Sequence, residues 1–364
     1  MSVIWTILSF IIIFSVLVVV HEFGHFIVAK ANGIHVKEFG VGMGPKLLGF
    51  TKNGTDYVLR ALPFGGACVF DEEDPFEDEE DEAKKEENPL ENSENQYGGK
   101  FSDASLAGRI ATVLAGPVFN IILGFVLALI IVGTCGEYDC TVGKVMEGMP
   151  AEKAGIQPGD KIISINGERI YLFSEISLHS IADKSDNWEV KYERNGELHV
   201  VNVTLQAMDG GKYLGVMSAD KVDCRNFKIF EYSWYEVRYW FVATFKSFGM
   251  LFSGRLTKDD VAGPVGMAHV IGETINQTKQ YGVLTVIINL VDIAMLLSVN
   301  LAIMNLLPFP ALDGGRLIFL LAELIIRRKV PRKFEAIVTL IGFGALMLLM
   351  VFVLVNDVSR FFRK

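Results

Sequence analysis

The sequence predicts a polytopic α-helical membrane protein: four transmembrane helices, a membrane-associated β-hairpin and one inserted extracytoplasmic α/β domain. Three observations carry this. Of 364 residues, 51% are hydrophobic and only 21% charged, with a mean hydropathy of +0.35, which is too apolar for an ordinary soluble chain. Four apolar runs are long enough to cross a hydrocarbon layer about 30 Å thick. Between the second and third runs, short apolar segments alternate with turn residues. The high apolar content, the lack of a three-residue glycine period and the presence of only four cysteines exclude disorder, collagen and a small disulfide scaffold.

Taken in order, VIWTILSFIIIFSVLVVV at 3–20 places the first transmembrane helix within residues 1–31. No Lys or Arg precedes the run and no small-x-small site follows it, so it reads as a span, not a cleaved signal peptide. Residues 36–70 have neither helical period nor span length. Asn53-Gly54 between apolar segments marks a hairpin, which can dip into a membrane only where protein or water satisfies its edge. Residues 71–99 form an acidic cytoplasmic loop. Between 71 and 94, fourteen acids face only Lys84 and Lys85, a local charge of −12 in a chain of net −9, which leaves +3 for the rest. The run reads as a solvated loop, and a mildly basic remainder with no basic stripe excludes nucleic acid as a partner.

The second span falls in 105–134, the third in 284–327 and the fourth in 334–358. Lys30, Lys37, Lys46, Arg60, Lys100 and Arg109 lie between spans one and two, and Arg327, Arg328, Lys329, Arg332 and Lys333 between three and four. The positive-inside rule puts both loops in the cytoplasm and the 135–283 segment outside, with Arg360, Arg363 and Lys364 a weak opposing signal. Within the outer segment, 141–218 reads as a small sheet domain punctuated by Pro158-Gly159-Asp160, Asn166-Gly167 and Asn195-Gly196. The following 226–283 stretch interleaves aromatic residues from Phe227 to Phe252 with Lys228, Arg238 and Lys246, a pattern suited to a helix lying on the bilayer, and then carries Gly263-Pro264-Val265-Gly266.

The chemistry is carried by His21-Glu22-Phe23-Gly24-His25 at the end of the first span. On a helix, positions i and i+4 share a face, so both imidazoles can grip one zinc ion while Glu22 stands beside them as a proton acceptor. Ionisable groups at membrane depth are costly and usually mark a working site. The bland reading is a coincidental polar helix end. Catalytic zinc wants a third protein ligand. Taken alone, Asp313 is the N-cap of the helix that begins with Gly314. Against a His pair lacking a partner, and in a proline-broken segment that should line a cavity, it reads as that ligand.

On HEFGH at 21–25, AGPVFN at 115–120, GMPAEKAGIQPGDKIISING at 148–167, GPVG at 263–266 and NLLPFPALDGG at 305–315, the chain resembles the site-2 protease family of intramembrane zinc metalloproteases, in its bacterial RseP-like branch. The resemblance implies Zn2+ held by His21, His25 and Asp313, Glu22 as catalytic base, and Asn305 as a contributor to substrate or intermediate binding. It further implies that 141–218 is a PDZ-like domain and that 36–70 holds the substrate as an extended strand. Implied partners are the lipid bilayer and single-span membrane proteins, such as anti-sigma factors, cut within their spans during regulated intramembrane proteolysis. The implied location is the bacterial plasma (inner) membrane, with the PDZ-like domain outside and the active site facing the cytoplasm. The PDZ-like segment could bind peptide carboxyl termini or obstruct bulky ectodomains, and the sequence does not choose. The 135–283 segment has room for one such domain, where some relatives carry two, and the acidic loop has no place in the family's core pattern.

Two rival functions remain. One is a metal-ion carrier, disfavoured because transport does not require Glu22 in that place; the other is a non-catalytic PDZ scaffold. His35, His179, His199 and His269 read as surface or hydrogen-bonded residues, not ligands. Cys135 and Cys140 could pair outside the cell or remain two thiols.

Overall fold

The computed structural model describes residues 2–72, 97–208, 211–224, 226–256 and 262–363, so most of the acidic loop lies outside the described residues. In chain order the elements are α1 (Ser2–Ala31), β1 (Val36–Lys52), β2 (Thr55–Phe70), α2 (Leu106–Cys135), β3 (Val142–Val145), α3 (Pro150–Lys153), β4 (Lys161–Ile165), β5 (Glu168–Arg169), α4 (Ser174–Ala182), β6 (Asn187–Arg194), β7 (Glu197–Thr204), β8 (Gln206–Met208), β9 (Gly211–Tyr213), β10 (Val216–Ser218), α5 (Lys228–Phe252), α6 (Pro264–Thr278), α7 (Val283–Leu306), α8 (Asp313–Ile326) and α9 (Arg332–Arg363). Val3–Ala31, Leu106–Cys135, Val283–Leu306 and Arg332–Ser359 are long and apolar enough to cross a membrane, and the protein is a multi-pass membrane protein. The chain divides into one unit of residues 1–124 with 258–364 and another of 125–257.

In the first unit, the 284–327 stretch assigned to the third span is two helices, and the break falls in the proline-interrupted segment as expected. α7 stops at Leu306 and α8 restarts at Asp313, because Pro308 and Pro310 cannot supply the backbone donors that would continue it. The 226–283 stretch differs from expectation. Residues 264–278 form a separate helix, α6, which starts with Pro264 at its first turn, a position where proline's missing N–H costs nothing. The carboxylate of Asp357 caps it, accepting from Gly263 N at 3.1 Å and Gly266 N at 2.9 Å. Ile271 of α6 is wholly buried with Phe10, Ile13 and Leu17 of α1, which steadies α1 one turn before His21.

Residues 36–70 are not a simple hairpin. Glu38, Phe39, Gly40 and Val41 pair with Val69, Cys68, Ala67 and Gly66 on one side and with Asp56, Tyr57, Val58 and Leu59 on the other, while Leu48–Lys52 close against Leu59–Thr55. Numbers rise together in the 38–41 and 56–59 pairing, so that central pair runs parallel and the outer two antiparallel. Bends at Gly42, Gly44 and Gly65, with φ of +89°, +86° and +79°, let each strand serve twice. The Asn53-Gly54 turn is present as expected, and His35 holds it by a 2.9 Å bond to the Gly54 carbonyl.

In the second unit, β5-β4-β6-β7 form one antiparallel sheet. Its buried side chains, Ile162, Ile165, Trp188 and Val190 among them, pack with Cys140, Ala151 and Ile176 into one core. Alternation along β6 follows the two-residue period of a half-buried strand. Two of the basic residues of the aromatic helix, Arg238 and Lys246, face this domain, which corrects their reading as headgroup partners. Arg238 bonds Glu175 at 2.8 Å and Lys246 bonds Glu168 at 3.0 Å. Phe230, Trp234 and Phe245 stay exposed. Cys135 and Cys140 are free thiols, and Cys140 sits in the core.

Candidate metal centre

The five residues singled out in the sequence fall on three helices of the first unit. α1 carries His21, Glu22 and His25; one turn separates the two imidazoles, whose rings meet edge-on with centroids 4.8 Å apart. Asn305 lies in the last turn of α7 and Asp313 is the first helical residue of α8, with Leu312 in the capping position instead. The link between them is a tight reversal. A Cβ at Gly314 would meet the Leu307 carbonyl oxygen at 2.1 Å, and one at Gly315 the Phe309 carbonyl oxygen at 2.5 Å. The Gly pair is what lets the broken helix fold on itself and deliver Asp313 to α1.

The convergence is close. His21 Nε2 and His25 Nε2 are 3.2 Å apart, and Asp313 Oδ2 lies 3.1 Å from the first and 3.4 Å from the second. Both imidazoles are 7% exposed. His25 Nδ1 is 2.8 Å from the Thr112 carbonyl oxygen. A carbonyl only accepts, so that nitrogen carries the proton, and in the neutral ring Nε2 is a bare lone pair facing a carboxylate oxygen and another ring nitrogen. Asp313 Oδ2 is buried without a hydrogen-bond partner. Lone pairs turned on one another are repulsive unless a cation sits among them. Tetrahedral zinc ligands about 2.0–2.1 Å from the ion stand about 3.3 Å from one another, which is the separation found. The donor set therefore fits zinc, and His21, His25 and Asp313 could hold it together.

Around this set, Asn305 Nδ2 is 3.3 Å from His21 Nε2. Glu22 accepts from the backbone N–H of Cys68 in β2 and lies within electrostatic reach of both imidazoles and Asp313. A Cβ at Gly66 would be 2.9 Å from Glu22 Cγ, so β2 packs tightly beside the carboxylate. Residues 66–70 form the outer segment of the sheet at this place.

Three contributors from α2 were missed in the sequence. Thr112, Gly116 and Asn120 recur every four residues, hence on one helix face, and that spacing inside and before the AGPVFN motif was the available signal. Thr112 orients His25. Gly116 clears space for the pair, since a Cβ there would lie 2.3 Å from His25 Nε2. Asn120 Nδ2 is 3.1 Å from His21 Nδ1. Pro117, inside α2, removes the N–H that would bond the Val113 carbonyl. The four remaining histidines are absent from the centre. His35 and His179 are buried and hydrogen-bonded, and His179 lies within a helix.

Comparison with known proteins places this geometry in context. A family model described as peptidase family M50 matches residues 9–349. A Clostridium acetobutylicum protein is 34% identical over 350 residues, covering 96% of each chain. The proteins named zinc metalloprotease RasP in Shouchella clausii and Geobacillus kaustophilus are each 32% identical, covering 98% of this chain and 99% and 98% of their own length.

Proposed function

The chain belongs to peptidase family M50 and is a zinc metalloprotease embedded in a membrane, and from that premise we propose that it hydrolyses peptide bonds inside the spans of membrane-anchored regulators, as anti-sigma-factor-like substrates in regulated intramembrane proteolysis. The observation that carries the reading is the meeting of His21, His25 and Asp313 around one point, with a buried carboxylate oxygen left unpartnered.

In this reading the three side chains hold zinc. When bound, the ion supplies Lewis acidity, bringing the pKa of water toward about 7 and polarising a carbonyl. Glu22, fixed by the Cys68 N–H, takes the proton of the attacking water and passes it to the departing amine. The carboxamide of Asn305, beside His21 Nε2, donates to the oxyanion as charge develops on the scissile carbonyl. Burial of both imidazoles keeps bulk water from competing for these groups.

A helical substrate hides its amides and must open before attack. The sheet of residues 36–70 offers replacement bonds by strand addition. Its 56–59 segment is paired on both flanks, whereas 66–70 is an outer segment beside Glu22; the substrate strand therefore adds at the latter. The charge bias of the loops supports a cytoplasmic approach to the centre, with a PDZ-like domain over 141–218 outside. That domain either captures peptide carboxyl termini or restrains large ectodomains.

The test compares wild type with Glu22→Gln for zinc content and for cleavage of a model membrane substrate. The expected result is full zinc with cleavage down by about 10²–10⁴-fold, the usual worth of a general base. Unchanged cleavage would refute the reading, and loss of zinc would instead make Glu22 part of the metal site.

A further inference from the structure

We propose that Asn120 is a positioning residue for the zinc ligand His21: its side-chain oxygen accepts from the imidazole Nδ1–H and so fixes Nε2 as the metal-facing lone pair. The inference deepens the zinc-site reading above and rests on His21 being a ligand.

Asn120 is fully buried. Its backbone carbonyl accepts from Ser298 Oγ at 2.7 Å, which ties α2 to α7 at this residue and holds the carboxamide in place. The carboxamide nitrogen lies 3.1 Å from His21 Nδ1, while the carboxamide oxygen is buried and faces no donor. Nitrogen and oxygen of an amide have nearly the same shape, so their assignment follows from the hydrogen-bond network. With the nitrogen toward His21, Nδ1 must accept. The proton of the neutral ring then sits on Nε2, pointing at Asp313 Oδ2 and His25 Nε2, in the place the metal needs.

Turning the carboxamide by half a rotation removes the conflict. The oxygen gains the Nδ1–H as its donor, and Nε2 becomes a lone pair. His25 already has this arrangement, because the Thr112 carbonyl can only accept from its Nδ1–H. Both ligands then present the same tautomer to one point, each set by a residue on the same face of α2. Metal-ligating imidazoles commonly donate their second N–H in this way, and loss of such a partner costs about 10–100-fold in metal affinity.

The experiment uses the full-length protein purified in detergent and measures zinc affinity by chelator competition in wild type, Asn120→Asp, Asn120→Leu and His21→Ala. Aspartate keeps only acceptors, so Asn120→Asp should hold zinc at least as well as wild type, whereas Asn120→Leu should bind about 10–100-fold more weakly. If the amino group were the partner, the two substitutions would lose affinity alike, and that result overturns the proposal. Imidazole 15N shifts of zinc-free wild type need no substitution: a protonated Nδ1 on His21 is expected, and a protonated Nε2 refutes it. His21→Ala separates the two levels. Unchanged zinc affinity there defeats the ligand assignment itself, while zinc loss there with equal Asn120 variants defeats only the positioning role.

Discussion

Each of the two units of this protein buries a histidine among carboxylates, and the two clusters are chemically opposite. In the unit of residues 125–257, His179 meets Asp183 at 3.0 Å and Glu168 at 3.5 Å, and the ammonium of Lys246 joins both acids. Donors and acceptors alternate and the charges nearly cancel, so the cluster is a fastening between α4, the β5 strand and α5. Around His21 and His25 two ring nitrogens converge on a buried carboxylate oxygen, with the Asn305 carboxamide beside His21 and no Lys or Arg paired to Asp313 among the described residues. The difference shows how a metal centre is told from an ion-pair network. A satisfied cluster explains itself, whereas convergent ligand atoms without a cationic side chain suit the bound cation of the proposed reading.

The sharpest way to break that contrast is to remove one histidine from each cluster. His25→Ala should lose zinc and cleavage together, the latter by roughly 10²–10³-fold at least, since a Lewis acid is worth several kcal/mol. His179→Ala should leave zinc content unchanged and lower the stability of its own unit by about 1–3 kcal/mol. Metal analysis and thermal unfolding of both variants decide it; zinc loss in His179→Ala would erase the distinction.

A smaller effect tests the packing of α2 against the histidine pair. Gly116→Ala places a methyl 2.3 Å from His25 Nε2 and should weaken zinc by about 10–100-fold, as displaced ligand support does. The same methyl overpacks a buried site, which costs about 1–3 kcal/mol and offsets the roughly 1 kcal/mol that alanine adds as the better helix former. Weaker zinc binding without a gain in stability is the expected outcome of metal competition and thermal unfolding, and unaltered zinc affinity would count against the packing argument.

The smallest effect belongs to the fastened unit alone. Burial raises the Asp160 carboxyl, but two hydrogen bonds from Arg194 at 2.7 Å and one from the Gln157 N–H outweigh it, leaving the group below its ordinary value of 3.8. A carboxylate depressed in the folded state stabilises it above the unfolded value, and that contribution disappears as pH falls through the folded one. Acid titration should therefore weaken the 125–257 unit below about pH 4, and Arg194→Met should shrink that loss, because without the guanidinium the folded-state carboxyl no longer titrates so far below the unfolded one. A loss of unchanged size in that variant would exclude the ion pair as its cause.

What the sequence made legible follows the range of the interactions. The four spans were visible because apolar composition over some twenty residues is a local property. The His pair was visible because a helix fixes its i, i+4 geometry, and Asp313 because a polar, proline-broken segment is out of place beside an apolar helix. Gly116 and Asn120 escaped attention because their roles exist only once α2 is packed against α1. The doubled pairing of residues 36–70 escaped for a similar reason: Asn53-Gly54 announces one turn, but Gly42, Gly44 and Gly65 do not reveal which segments their bends bring together. Helix α6 was within reach, since Pro264 follows a glycine and apolar residues recur at helical spacing through Ile275. Arg238 and Lys246 suit a headgroup as well as they suit a buried acid, and only the fold distinguishes the two.

The central claim is that two imidazoles and one carboxylate share a single zinc ion. X-ray absorption at the zinc edge of the purified protein, compared with Asp313→Ala, tests it most directly. A shell containing two imidazole nitrogens and a carboxylate oxygen in wild type, with that oxygen or the metal itself lost in the variant, is the predicted result; an identical zinc shell in both proteins would contradict it.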